Sequence, residues 1–151
     1  MKAPVPTPAA IRPARLSDVP ALFKVRTSVK ENALTLTELA EQGITPNAIG
    51  EAIAGATCAW VAEIDAQVVG FAMVDLQAGC LFAAFVLPEQ EGKGIGTRLI
   101  EAAETALFEH HAVIWLETAK HSRAARIYRA RGWGNEVSAG GQDVRMEKSL
   151  R

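Results

Sequence analysis

Three rhythms of apolar and polar residues follow one another along this chain. From Val19 to Gly55 the spacing is helical. Val19, Leu22, Phe23 and Arg26 share a face behind Ser17, which reads as an N-cap. Thr35-Leu36-Thr37-Glu38 has the S/T-x-x-E form of a capping box and predicts a short second helix. Thr45-Pro46, with Ile49 and Ile53 ahead of Gly55, predicts a third, its proline at the favoured first position. Before these, Ile11-Arg12-Pro13-Ala14 suits an edge strand, where a proline is tolerated.

From Thr57 onward the pattern turns to runs of strand length rich in Val, Phe, Trp and Ala: Thr57 to Ile64, Val68 to Leu76 and Cys80 to Val86. Asp65-Ala66-Gln67 and Gln77-Ala78-Gly79 separate them, connections too short for anything but antiparallel hairpins. The helical rhythm then returns, with Ile95, Leu99, Ala102, Ala103, Ala106 and Leu107 on one stripe. Val113 to Thr118 is the next strand, and a strand reached through a helix lies parallel to its predecessor by a right-handed crossover. A late helix runs from about Ser122 to Arg131, with Ala124, Ile127 and Tyr128 on one face and Gly132 as its stop. Asn135 to Ser138 and Asp143 to Lys148 close the chain as a hairpin around Gly140-Gly141. The expected class is α/β of the α+β kind. It has one mixed, mainly antiparallel sheet of about six to seven strands, flanking helices and a single βαβ crossover at a glycine-rich turn.

Composition narrows the function without choosing it. A chain of 151 residues is one domain's length, and no linker or repeat divides it. We expect a flexible arm over 1–10 and a single domain over 11–151. The arm holds one Lys and three prolines with no apolar segment, which is not a secretory signal. Hydrophobic residues at 49% and charged residues at 22% suit a globular protein. A net charge of -1 gives no reason to expect nucleic acid or an anionic membrane as partner. No apolar run approaches the ~20 residues that span a bilayer. Cys58 and Cys80 lie in apolar strands without CxxC spacing, so buried reduced thiols and a cytoplasmic location are expected, with no metal.

The chemistry concentrates where the third central strand meets the long helix. Gly92, Gly94 and Gly96 alternate there, with Lys93 between the first two. Several backbone N–H groups converge at such a turn, at the positive end of the helix dipole, and glycine lets a phosphate approach the main chain. Two familiar phosphate-binding motifs can be compared with it. A P-loop needs G-x-x-x-x-G-K-S/T, but Thr97-Arg98 follows Gly96. A dinucleotide fingerprint needs G-x-G-x-x-G, and Thr97 holds its last position. Glu117 sits near where a ribose-binding acid belongs, yet three antiparallel strands and one crossover are the wrong topology for that fold.

Val86 to Ile100 resembles the acetyl-CoA motif of the GNAT superfamily of N-acetyltransferases, Q/R-x-x-G-x-G/A after a strand ending in Val-x-Pro. Ser122 to Trp133 is similar to the family's late helix, N-x-x-A-x-x-F/L/I-Y-x-x-x-G-F/W. The two segments flank the strand Val113 to Thr118, as the family requires, and the likeness extends from Ile11 onward. Two departures stand out. Glu91 takes the place of Gln or Arg, an acid beside a pyrophosphate, with Lys93 and Arg98 near in sequence to offset it. His121 replaces the Asn that begins the late-helix motif; a donor to the cofactor and a solvated helix-start residue both remain open for it.

The resemblance implies a GNAT-like fold and transfer of acetyl from acetyl-CoA directly to a primary amine of a small molecule or of a protein or peptide. The amine must be neutral, and the departing thiolate needs a proton. Tyr128 matches the family's general acid. The implied cofactor set is Phe85, Val86 and Leu87 along the pantetheine, Glu91, Gly92, Lys93, Gly94, Ile95, Gly96 and Thr97 at the pyrophosphate, and His121, Ser122 and Tyr128 beyond. For the acceptor it points to the loop after the first helix: Arg26 for a carboxylate, Glu31 as base or ammonium anchor, and Asn32. Arg123, Arg126 and Arg129 read as a solvated face, with the CoA 3′-phosphate as the other reading. Trp60, Trp115 and Trp133 are expected in the core. A different class of function stays open, a degenerate acyl-CoA-binding sensor without turnover, and a homodimer is left open as the assembly.

Overall fold

The computed structural model describes residues 8–150. A seven-stranded sheet carries the molecule, formed by β1 (Ala10–Pro13), β2 (Ala59–Ile64), β3 (Gln67–Asp75), β4 (Cys80–Val86), β5 (Val113–Ala119), β6 (Gly134–Gly140) and β7 (Asp143–Ser149). Its spatial order is β1-β2-β3-β4-β5-β7-β6, antiparallel throughout except for the parallel contact of β4 with β5. The closing hairpin therefore folds back so that its second strand lies inside and its first forms the edge. Helices α1 (Val19–Ser28), α2 (Leu36–Glu41) and α3 (Pro46–Gly55) separate the first two strands in sequence, α4 (Ile95–Phe108) makes the crossover, and α5 (Arg123–Ala130) follows β5.

Local chemistry explains most boundaries. Thr35 Oγ1 accepts from Glu38 N at 3.1 Å while Glu38 Oε1 accepts from Thr35 N at 3.0 Å, the reciprocal capping box at α2. Thr45 caps α3 through Ala48 N at 3.2 Å, with Pro46 leading the helix. Ser17, by contrast, is no cap. It lies within a 3-10 turn, Leu16–Asp18, and Asp18 does the anchoring, its carboxylate taking Arg15 N at 2.7 Å and both guanidinium ends of Arg12 at 2.8 and 3.0 Å. A buried acid with a bidentate arginine holds that corner better than a serine hydroxyl. Ala10 already lies in β1, and the buried Ala9 accepts from Arg98 Nη1 at 2.6 Å.

The main core lies between the sheet and its helices, where Val61, Ala72, Leu99, Ala103, Leu107, Ile114, Leu116 and Met146 are almost fully buried. Trp60 and Trp133 join it, but Trp115 does not. Half-buried, it donates from Nε1 to the Ala78 carbonyl at 3.0 Å beneath the Arg145 guanidinium, 4.2 Å from its ring centroid. At Gly70 a Cβ would meet Phe85 O at 2.9 Å and Leu99 Cδ1 at 3.1 Å, so this bare position brings α4 down onto β3 and β4. Cys58 and Cys80 are buried and unpaired with each other, and burial pushes the Cys80 thiol up to about 11. Among the described residues no helix is long and apolar enough to cross a membrane.

The β2–β3 turn carries a correctable strain. Asp65 and Ala66 have φ of +49° and +66°, the pattern of a turn that favours Asn-Gly, and alanine is poorly suited to it. Ala66→Gly is expected to stabilise the fold by about 1 kcal/mol, since relief of left-handed strain outweighs glycine's extra chain entropy. A thermal melt with an unchanged or lowered midpoint would count against it.

Candidate active site at the glycine turn

β4 leaves the sheet through a 3-10 turn, Pro88–Gln90, and enters α4 across Gly92 and Gly94, whose φ values are +79° and +80°. Those left-handed angles require glycine at both places. Gly96 is different: it lies in the first turn of α4, and a Cβ there would make only ordinary contact with Val86 Cγ2 at 3.7 Å. Neither φ nor packing asks for glycine at this position. The amides from Gly92 to Thr97 have no acceptor among the described residues; the first helical bond runs from Arg98 N to Gly94 O at 3.2 Å. A run of unspent N–H groups at the positive end of a 14-residue helix is an anion cradle.

The acid in this cradle is neutralised from an unexpected direction. Arg123 Nε, at the start of α5, lies 2.9 Å from Glu91 Oε2. Side-chain exposures of 45% and 39% make the pair nearly neutral for stability, but it cancels the charge facing an incoming anion. The nearby cations expected to offset Glu91 are engaged elsewhere. Lys93 Nζ donates to Gln90 Oε1 at 3.0 Å, and Arg98 reaches back to Ala9.

Beside the turn the sheet opens. β3 and β4 are in register from Gly70↔Val86 to Asp75↔Cys80, but β4 and β5 meet only at Cys80↔Trp115, where Trp115 N donates to Gly79 O at 3.0 Å. Beyond Cys80 the β4 backbone, including Phe85 and Val86, has no strand on its β5 side, and Leu87 N turns instead to Val69 O at 2.8 Å. This leaves a slot that widens toward the glycine turn.

Tyr128 occupies the helix next to this slot. Its ring is 6% exposed and meets Trp133 edge to face, with centroids 5.8 Å apart and planes at 62°. Burial above all, then the Glu104 carboxylate and the Cys80 thiol, raises its hydroxyl well above the ordinary tyrosine value. The hydroxyl has no protein partner among the described residues. The only sealed, unpartnered side-chain nitrogen or oxygen there is Arg12 Nε, so Tyr128 Oη reaches accessible space. Ser122 caps α5, accepting from Ala125 N at 3.1 Å and donating to Ala119 O at 2.8 Å. His121 just ahead is exposed and borders a second cleft of about 340 Å³ with Glu136 and Asp143.

A family model described as an acetyltransferase (GNAT) domain matches residues 55–134, more than half of the chain. The chain belongs to the GNAT acetyltransferase family. Three GNAT-like solved structures share its fold. PaiA N-acetyltransferase from Thermoplasma acidophilum, in complex with coenzyme A, is 18% identical with a TM-score of 0.76, covering 94% of this chain and 99% of its own. Ribosomal-protein-alanine N-acetyltransferase from Brucella melitensis is 24% identical, TM-score 0.69, covering 93% and 99%. The yncA protein of Salmonella typhimurium, with its cofactor acetyl-CoA, is 16% identical, TM-score 0.69, covering 95% of each chain. A search of curated proteins finds no match.

This GNAT domain has a further cleft, of about 330 Å³, between α1, the loop after it and the sheet. Phe82, Ala83 and Phe85 line it from β4, and Arg26, Asn32, Gln42 and Asp143 supply its polar groups. Arg26 is the buried one, at 8% exposure, with its guanidinium 4.3 Å from the Phe85 ring centroid and Nη1 donating to Asn32 O at 3.0 Å. Glu31 turns away: its carboxylate accepts from Arg123 N at 3.1 and 3.3 Å, at the start of α5. Of the late-helix arginines, Arg129 pairs with Glu136 at 2.8 Å and Arg126 reaches only the His121 carbonyl at 3.5 Å. Among the described residues no group of His, Cys, Asp or Glu is arranged to hold a metal.

One buried group escaped the sequence pattern. Glu104 sits on the inner face of α4 at 5% exposure and accepts from Arg131 Nη2 at 2.7 Å, Trp133 Nε1 at 2.8 Å and Lys148 Nζ at 2.9 Å. It ties α4 to the end of α5 and to β7. At helical spacing Glu104 falls beside the apolar stripe rather than on it, so the pattern of apolar positions gives it no signal.

Proposed function

We propose that this protein transfers an acetyl group from acetyl-CoA to a primary amine by direct attack. The observation that carries the reading is the run of acceptor-less amides at the foot of an unpaired strand edge, with the phenol of Tyr128 beside it. In this reading the amides of Gly92, Lys93, Gly94, Ile95, Gly96 and Thr97 hold the pyrophosphate. The Phe85 to Leu87 backbone pairs with the amide-bearing arm as a strand would, while His121 and Ser122 border the far side. The cosubstrate supplies an activated acyl thioester.

The amine nitrogen, once neutral, attacks the thioester carbonyl; the C–N bond forms as the C–S bond breaks. Tyr128 Oη hands its proton to the departing sulfur, and the proton lost by nitrogen leaves to solvent. A hydroxyl raised by burial stays protonated through neutral and mildly alkaline pH, which suits a donor. The buried, reduced thiols Cys58 and Cys80 accord with a cytoplasmic setting.

The main objection to turnover, an acid in the anion cradle, is met by Arg123, so a CoA-binding sensor is the weaker reading. Free thiol release from acetyl-CoA over a panel of amines separates the two. Amine-dependent release is expected. Calorimetric binding of acetyl-CoA with no release from any amine marks a sensor, and binding of ATP or NAD in its place sinks both.

A further inference from the structure

The cleft beside α1 contains a charge that the fold itself does not answer. Arg26 is buried against Phe85, yet no carboxylate among the described residues pairs with it, and its single hydrogen bond is to the Asn32 carbonyl. Its Nε and Nη2 have no acceptor there. Because Arg12 Nε is the only sealed, unpartnered side-chain polar atom among those residues, these Arg26 donors open into the cleft they line. A guanidinium taken out of water without a counter-ion is costly, and its planar fork matches a carboxylate in two parallel bonds. Asp143 lines the same cleft, and the walls between are apolar, with Phe82 still 45% exposed. A cation and an anion divided by apolar surface fit a molecule that carries both charges on an apolar body.

We propose that the acceptor is a small amine bearing its own carboxylate, an amino acid or a close analogue, bound through that carboxylate by Arg26. Asp143 attracts the ammonium end before it loses its proton, and the Phe82 and Phe85 rings take the apolar part. The amine half of this inference rests on the transferase reading; the carboxylate half does not, because it concerns a binding site.

The test is an equilibrium measurement on the protein saturated with CoA. N-acetyl derivatives of L-phenylalanine, L-leucine and L-methionine are compared with acetamides of the matching amines that lack the carboxylate. At least one carboxylate is expected to bind about 10-fold or more tightly than its counterpart, as a charge-assisted pair gives. Arg26→Gln should abolish the preference and Arg26→Lys retain part of it, with CoA affinity unchanged in both. Equal affinities in every pair, absence of binding, or a preference surviving in Arg26→Gln overturns the proposal. Arg26→Met supplies a check that needs no ligand. Removing an unanswered buried charge should leave the protein folded with a melting temperature raised by about 3 °C, and a lowered one counts against the cation's being unanswered. A protein that shows the carboxylate preference yet releases no thiol with any free amine retains this site and loses the transferase reading instead.

Discussion

Tyr128→Phe is expected to lower kcat by about 100-fold or more while leaving the affinity for CoA within about twofold, the range general acids contribute. The substitution removes one oxygen from a ring that is otherwise buried against Trp133, so packing is preserved. That oxygen has no protein partner among the described residues, and its loss therefore strands no donor or acceptor. Stability should hold or rise slightly, which separates a chemical role from a structural one. The pH profile gives a second handle. Since burial raises the hydroxyl above its ordinary value of 10, the protonated form persists through pH 10. The wild-type rate should climb with pH as the acceptor ammonium loses its proton, with no fall from Tyr128 by pH 10. Steady-state kinetics with calorimetry decides it: an unchanged kcat in the phenylalanine variant removes Tyr128 from the chemistry.

Glu104→Gln is expected to cost about 3 kcal/mol of stability, the scale for breaking a buried ion pair by deleting one charge. Arg131 and Lys148 would be left facing an amide that neutralises neither. For a domain of this size the melting midpoint should fall by roughly 6 to 12 °C; a midpoint within about 2 °C of wild type would show that the cations find water instead. Burial opposes the ionised carboxyl, but the Arg131, Lys148 and Trp133 hydrogen bonds outweigh it and hold Glu104 below its ordinary value of 4.5. A group depressed in the folded state stabilises above its unfolded value and ceases to do so as pH falls through its folded one. Wild type should thus lose stability below pH 4.5, and the glutamine variant should lack that portion of the acid limb.

Features decided by neighbours in sequence were legible from sequence. The capping box at α2, the proline-led α3, the short hairpins and the glycine turn all depend on residues within a few positions of one another, so pattern and structure agree. What escaped depends on partners far along the chain. Ser17 has the right chemistry for a cap, but Asp18 takes the anchoring role through Arg12, which Glu63 holds from the neighbouring strand. Glu91 is unfavourable only until Arg123 arrives from 32 residues away. Trp115 is apolar enough for the core, yet it lies at the one point where β5 touches β4, and Arg145 covers its ring instead. Glu31, an acceptor-site candidate by position, is held by the α5 amide, whereas Arg26 is buried in the cleft without an acid to meet it.

The single contact at Cys80↔Trp115 also divides the chain in a way that bears on how it comes to fold. Every strand on one side of that seam lies between residues 10 and 86, and every strand on the other between 113 and 149. Each half-sheet can pair internally before the other is complete, with α4 as the tether. Arg26 belongs to the first half and Tyr128 to the second, so under the proposed function neither half holds a complete site alone. In that reading competence arrives only with docking across the seam.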